Sequence, residues 1–462
     1  MVADRYDDGS SDVPGGLAGQ VGRVVVVGAG IAGLTVANAL GHGGVECVVL
    51  EARDRVGGRL HTIDLAGAPV DLGGSWIHHP VGNPMRTFAD QVGVRCRPAD
   101  ALSGLGGYDC AQGRPLTPAE VDASVALQFE EFPAAVEERL RPGLGPDASV
   151  AEAIDAFLAA ADLGAVQARR ARQSLRAVIE AEAADRPERQ SLQWMWNELE
   201  YGGEYFGDMP AGGYRTLVDA MAAGVDVRLG CDVTEVVDTG DGVRVRTADG
   251  LVESGSHVVV TVPLGVLRRG APRFSPPPPA ERTAAMGRLG FGRMEKVVLL
   301  FDEPFWRARG LSHLMLFPRD PDQGTVWVFD HDAFGGVPAL VCLVFHSAAG
   351  IVDGPVDDAV AWLLDLLDGA QGGPHPEPTP VAVTGWGTDR CTGGAYTHIP
   401  PGATPADLDL LGEPVAGRIL FAGEHTQSAR VAYADGAMTS GIREAKRLLG
   451  RPDVRLAAPG PH

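Results

Sequence analysis

The order of apolar runs and helical repeats along the chain sets out its elements. Val24 to Val27 is an unbroken apolar strand, Gly28 to Gly33 a glycine turn, Leu34 to Leu40 a helix and Glu46 to Leu50 a second apolar strand. Together these predict a βαβ unit. Between residues 116 and 200 the pattern turns helical: around Val121 to Leu140, in DASVAEAIDAFLAAA from Asp147 and in VQARRARQSLRAVIEAEAA from Val166. Strands are expected again at 225–230, 233–238, 243–249 and 257–263, before the proline run Pro276 to Pro279 interrupts the pattern. Residues 291–390 carry MEKVVLLF, TVWVF and ALVCLVF, and GAQGGPHPEPTP (369–380) reads as a surface excursion. RILFAG (418–423) and ADGAMTSGIREAKRLLG then return to strand plus helix.

One of these strands poses a problem. MEKVVLLF (294–301) has the unbroken apolar body of a strand buried on both faces, yet it opens with Glu295 and Lys296. On a pleated strand Lys296 shares its face with Val298 and Leu300, and Glu295 shares the other with Val297, Leu299 and Phe301. An unpartnered ammonium there is costly or is pushed toward neutrality. The alternative is a strand-edge lysine that reaches solvent along its own stem.

The glycine turn supplies Gly28, Gly30 and Gly33 in the GxGxxG spacing between strand and helix, with the helix N-terminus facing the place of a pyrophosphate. Glu51 follows Gly33 by 18 residues, at the end of the second strand, where a carboxylate accepts from ribose hydroxyls. A dinucleotide is therefore the expected ligand. Gly57 and Gly58, followed by Arg59, offer a further backbone approach and a guanidinium to the pyrophosphate, which favours FAD over NAD.

Composition narrows the picture further. The chain has 462 residues and a net charge of −21, which argues against nucleic acid and anionic membrane surfaces as partners. No apolar run is long enough to span a membrane. The six cysteines, Cys47, Cys96, Cys110, Cys231, Cys342 and Cys391, show no CxxC pair, so neither a metal site nor a disulfide framework is indicated. The N-terminal MVADRYDDGSSDVPGG lacks the basic and then apolar order of a secretory signal, and a cytoplasmic protein is expected.

The stretch VVVVGAGIAGLTVANALGHGGVECVVLEARDRVGGRLHT resembles the N-terminal signature of the flavin amine oxidases, the family of monoamine oxidases, polyamine oxidases and lysine-specific histone demethylases. The resemblance continues in DLGGSWIHHPVGNPM (71–85), MEKVVLLF, WGTDRCTGGAYTHIPPGA (386–403) and ILFAGEHT…YADGAMTSGIREA (419–445). It implies an α/β fold: a Rossmann-like FAD-binding domain of the glutathione-reductase type, interleaved with a mixed-sheet and helical substrate domain. The implied FAD contacts are Gly28, Gly30, Ile31, Ala32, Gly33, Glu51, Ala52, Arg53, Gly58, Arg59, Gly73, Gly74, Ser75, Trp76, Val233, Trp386, Gly423, Glu424, Tyr433 and Ala434. Ala395 in CTGGAYT stands where monoamine oxidases carry the cysteine that joins the flavin, so non-covalent FAD is implied.

By the same resemblance Tyr396 and Tyr433 flank the substrate amine, Trp386 lies beside the flavin ring, and Lys296 holds a water next to flavin N5. His78 matches a histidine of animal polyamine oxidases and is a candidate catalytic residue or else a hydrogen-bonding loop histidine, though His79 replaces the glycine that follows it there. Adjacent histidines on an extended segment cannot both face one cavity. The acidic run WNELEYGGEYFGD, with Glu198, Glu200, Glu204 and Asp208, is a candidate for the distal ammonium groups of a polyamine or else a solvated face.

The expected organisation is a tail (1–21), a discontinuous FAD-binding domain (22–85, 205–290 and 385–450), a substrate-binding domain (86–204 and 291–384) and a second tail (451–462). The implied activity is oxidation of a primary or secondary amine, a polyamine or a monoamine, by a monomer or homodimer. Hydride passes to flavin N5, the imine hydrolyses to an aldehyde plus amine or ammonia, and O2 is reduced to H2O2. The alternatives are a flavin desaturase or dehydrogenase, an amino-acid oxidase, and a non-catalytic module stabilised by FAD. The helical insert of residues 100–200 matches no motif of the family, and substrate choice is expected to lie partly there.

Overall fold

Val24–Val27 is buried on both faces because it is the middle of a five-stranded parallel sheet. Its neighbours are Cys47–Leu50 and His257–Val260, with Asp226–Arg228 and Ile419–Phe421 at the two edges. In this computed structural model the described residues are 17, 19–196, 199, 201–309, 312–334, 337–371, 376–378 and 381–457. The expected N-terminal tail therefore lies almost wholly outside the described residues. The helices Ile31–His42 and Ala434–Leu449 pack closely on the sheet and on each other. A Cβ on Gly441 would stand 2.6 Å from the carbonyl oxygen of Ala32, so the lack of a side chain at Gly441 is what allows the contact.

The second large sheet has seven strands, in the order Val381–Val383, Met294–Leu300, Ala339–Phe345, Val326–Asp330, His313–Phe317, Leu105–Asp109 and Arg114–Pro115. Met294–Leu300 is antiparallel to both neighbours, and its apolar body is buried throughout. Each fully buried valine or leucine contributes about 1.5–3 kcal/mol, which fixes this strand as a rigid support. A four-stranded sheet built on Val233–Asp238, Val243–Thr247 and Val252–Gly255 completes the mixed α/β architecture, with Arg273–Ser275 at its edge.

The helical insert is as helical as its periodicity suggests, with π-helical segments at Leu127–Glu131 and Val136–Leu140. Ser149 caps Val150–Ala160 in a reciprocal box with Glu152, and Ala165–Ala183 is the longest helix of the group. The insert has its own core around Phe132, Val150, Leu175, Ile179 and Leu192. Among the elements that the periodicity reading does not name are the hairpin Thr62–Leu65 with Ala68–Asp71, and the helix Val356–Gln371, which takes in the start of the expected surface excursion. Past the last helix, within the expected second tail, Val454 and Leu456 are buried in the core beneath the parallel sheet, while Arg451 to Asp453 and Arg455 are exposed. Among the described residues no helix is long and apolar enough to cross a membrane, and no group of three or more His, Cys, Asp or Glu could hold a metal.

Candidate active site

A cavity of about 450 Å³ runs from the glycine turn, past the mouth of Met294–Leu300, to the long helix of the insert. At the turn, Gly28 has φ +102, and a Cβ on Gly33 would meet the Gly28 carbonyl at 2.0 Å, so both positions need glycine. Gly30 differs: a Cβ there would meet no protein atom within 4 Å and would project into the cavity it lines. The helix that begins at Ile31 has no side-chain cap, so its first amide N–H groups remain free for a ligand. Glu51 is buried beside them, accepting from the amides of Ala29 at 2.7 Å and Arg53 at 2.9 Å. This donor and acceptor set fits a dinucleotide pyrophosphate and ribose.

Arg59 donates to Glu424 at 2.9 Å and to the Ala395 carbonyl at 2.6 Å. Burial alone pushes the Glu424 carboxyl up, but Arg59, His425 and Thr397 outweigh it and hold the group below its ordinary range. The segment Gly73–Trp76 crosses the cavity, and a Cβ on Gly73 would stand 1.7 Å from the Arg59 carbonyl.

The charged pair that opens Met294–Leu300 finds its partners here. Glu295 is fully buried and accepts from the Thr384 hydroxyl at 2.5 Å, the Trp386 amide at 2.8 Å and the Gly387 amide at 2.8 Å. It fixes the segment that carries Trp386, whose indole N–H reaches the Leu72 carbonyl at 3.2 Å. Lys296 lines the cavity and donates to the carbonyls of Asp71 at 3.0 Å and Gly73 at 2.6 Å and to the Ser75 hydroxyl at 2.6 Å. Burial lowers its pKa to about 8, partly opposed by the Asp71 carboxylate. It is no solvent-reaching lysine: its exposure is 4%.

Beyond Lys296 the walls are aromatic. Trp76, Phe129, Tyr205, Phe206, Trp327 and Phe329 line this end, joined by Tyr396 and Tyr433. Trp76 meets Phe329 and Phe206 edge-on, with centroids 5.3 and 5.8 Å apart. Glu182, from the end of the long helix, is set among these rings, where it accepts from the Tyr205 hydroxyl at 2.5 Å and the Tyr433 hydroxyl at 3.4 Å. The Tyr396 hydroxyl donates to the Ala181 carbonyl. Burial raises the Tyr205 and Tyr396 phenols well above their usual range, so both are neutral donors. His78 also lines the cavity, and burial brings its pKa down to about 4. Its Nδ1 lies 2.7 Å from the Tyr205 carbonyl, which puts the ring proton on Nδ1 and leaves Nε2 an acceptor.

The cavity thus collects Lys296, His78, Tyr396, Tyr433 and Trp386, with the glycine-turn residues, Glu51, Ala52, Arg53, Gly58, Arg59, Gly73 to Trp76, Val233, Gly423, Glu424 and Ala434. Gly33 lies just outside the wall, closing the turn. Ala395 and Cys391 both line the cavity, while His79 turns away and faces the Gly203 carbonyl. Glu204 is not brought to the site; it is exposed, in the loop beside His79. Glu198 and Glu200 lie outside the described residues, and Asp208 pairs with Arg86 at 2.8 Å. The carboxylate among the rings is instead Glu182, which sequence reasoning passed over. Its signal was present: it stands four residues after Val178, on the buried face of an amphipathic helix.

Fold and cavity together fit the class of dinucleotide-binding α/β proteins, here with an aromatic, acid-bearing chamber at the far end of the cavity. A family model described as flavin containing amine oxidoreductase matches residues 31–449. The lysine-specific histone demethylase 1 homolog 3 of Oryza sativa subsp. indica is 34% identical over 452 residues, covering 94% of this chain and 55% of the relative. Homolog 2 from Arabidopsis thaliana is 32% identical over 464 residues, with 93% and 59% covered. Protein FLOWERING LOCUS D of Arabidopsis thaliana is 33% identical over 448 residues, with 92% and 55% covered. The chain spans little more than half the length of these relatives. It belongs to the flavin-containing amine oxidoreductases, and FAD is the cofactor that this membership implies.

Proposed function

We propose that the protein oxidises a small primary or secondary amine, with FAD held non-covalently and O2 as the final acceptor. The observation that carries this reading is the continuity of one cavity from the glycine turn to the aromatic chamber around Glu182. FAD, when bound, supplies the electron sink, taking a hydride from the carbon beside the nitrogen and passing two electrons to O2.

The chain's own residues position and select. Tyr396 and Tyr433 orient the amine between aromatic faces, while Glu182 gives a cationic amine a reason to enter an otherwise apolar chamber. The rings exclude water, which protects the imine until release. Lys296, tethered to Asp71, Gly73 and Ser75, keeps a positive group beside the place where oxygen gains charge. Ala395 offers no thiol for attachment, and Cys391 we assign no part in it.

A methylated lysine side chain in a peptide is the second reading, favoured by the names of the relatives; its N-methyl carbon presents the same kind of bond. A peroxide-coupled assay with an arylalkyl monoamine, a polyamine and a methyl-lysine peptide, with product masses, separates the two. Turnover of a free amine supports the first reading, and peptide turnover alone replaces it with the second. Silence across the panel leaves neither standing. In the productive case Tyr433→Ala raises KM about tenfold at unchanged flavin content, and an unchanged KM removes Tyr433 from the amine's surroundings.

A further inference from the structure

Arg430 lies in the loop between Ile419–Phe421 and the last helix, three residues before Tyr433. Its side chain is almost wholly buried, and a buried cation needs partners. Asp435, in the first turn of the last helix, accepts from Nε at 2.7 Å and from Nη2 at 3.3 Å, and the Leu199 carbonyl accepts from Nη1 at 3.2 Å. These bonds hold the edge of the guanidinium. Its face goes to aromatic rings: the guanidinium carbon stands 3.8 Å from the centre of Tyr433 and 5.1 Å from that of Tyr201. Tyr433 lines the cavity and Arg430 does not, so the guanidinium covers the ring face turned away from the substrate chamber.

An aromatic face attracts a cation through its negative potential. A guanidinium already seated on the opposite face draws on that potential and adds repulsion of its own. We propose that Arg430 is a positioning residue that fixes Tyr433 and turns this wall of the chamber from a cation trap into a surface that favours the neutral amine over its ammonium form. The inference rests on reading the cavity as an amine site. The amine can give up hydride only with its lone pair free, so R–NH3+ must first release a proton to water and leave R–NH2. The groups facing Tyr433 pull in both directions. Glu182, at its hydroxyl, favours the ammonium; Arg430 opposes it; Asp435 offsets part of the Arg430 charge from the guanidinium's edge; His78, whose ring lies 5.5 Å from Tyr433, is neutral above about pH 4.

The test is the rate of flavin reduction in anaerobic stopped flow at saturating amine, from about pH 6 to 10, with two amines of different free pKa, so that the limb that follows the amine is told from any that Lys296 gives near pH 8. In the parent protein the acid limb falls below the pKa of the free amine. Arg430→Gln moves that limb upward by about one pH unit, and Arg430→Lys, which keeps the charge, moves it by less than half as much. Each limb is read against its own plateau, in protein shown to hold FAD. An unmoved limb in Arg430→Gln overturns the proposal. So does a parent limb at or above the free amine's pKa, a result that needs no variant. Failure of the underlying amine reading looks different: no amine reduces the flavin at any pH.

Discussion

The strands Val24–Val27 and Met294–Leu300 are both enclosed on two faces by apolar neighbours, yet they deliver function in different ways. The first delivers it from its C-terminal end, through backbone. Its glycine turn leads straight into the helix whose free amide groups face the cavity, and the turn, the helix start and the Glu51 carboxylate lie within 28 residues, from Val24 to Glu51. The second delivers it from its N-terminal end, through two charged side chains whose partners are remote in sequence. Glu295 reaches groups 89 to 92 residues later, and Lys296 reaches groups 221 to 225 residues earlier. A backbone-built site is set by local geometry and tolerates little but glycine; a side-chain site on a rigid strand is set by what the rest of the fold brings to it.

The strongest way to break this comparison is at Gly30. Gly30→Val places its Cβ where no protein atom beyond the chain neighbours stands within 4 Å, so the fold should survive while the cradle closes. FAD affinity is expected to fall about 100-fold or more, roughly 2.7 kcal/mol, read as flavin absorbance per chain during titration of the apoprotein. Affinity within tenfold of the parent would show that the turn does not carry the pyrophosphate.

Glu295→Ala breaks the other side of the comparison, and is read in stability rather than in cofactor affinity. It strands the Thr384 hydroxyl and the Trp386 and Gly387 amides in a buried place, at an expected cost of about 3–5 kcal/mol in denaturant unfolding. A loss under about 1 kcal/mol would mean that the Trp386 segment is held from elsewhere.

Lys296→Met gives the smallest change in stability and the sharpest change in chemistry. The fold and FAD should remain, while the reaction of the reduced enzyme with oxygen slows by about tenfold to 100-fold. Burial moves this lysine from its ordinary 10.5 to about 8, so between those values the unfolded chain binds the proton and the folded chain does not. The parent's stability relative to Lys296→Met should therefore rise with pH across that window and stay level below it. Unfolding measured at several pH values would show a level difference throughout if Lys296 were not held in this way, and an unchanged oxidation rate would make the residue structural.

Much of the molecule is legible in its sequence. The βαβ unit, the carboxylate of Glu51, the doubly buried strand and the helical insert all follow from periodicities and glycine spacings. Such signals are local: the period of a strand or helix and the restriction on φ act over a few residues, whatever the rest of the chain does. MEKVVLLF also announced that its lysine needed a partner without naming one. Only tertiary structure decided that Asp71, Gly73 and Ser75 would be that partner, that the acid among the rings would be Glu182 rather than the exposed Glu204, and that Arg430 would lie against Tyr433. In each case the two groups come from elements that no local rule connects, and their meeting depends on how the seven-stranded sheet, the helical insert and the last helix close around one cavity. A charge on a helix or loop looks alike in sequence whether its face meets water or a ring, because the cost of burying it depends on the neighbours that packing supplies.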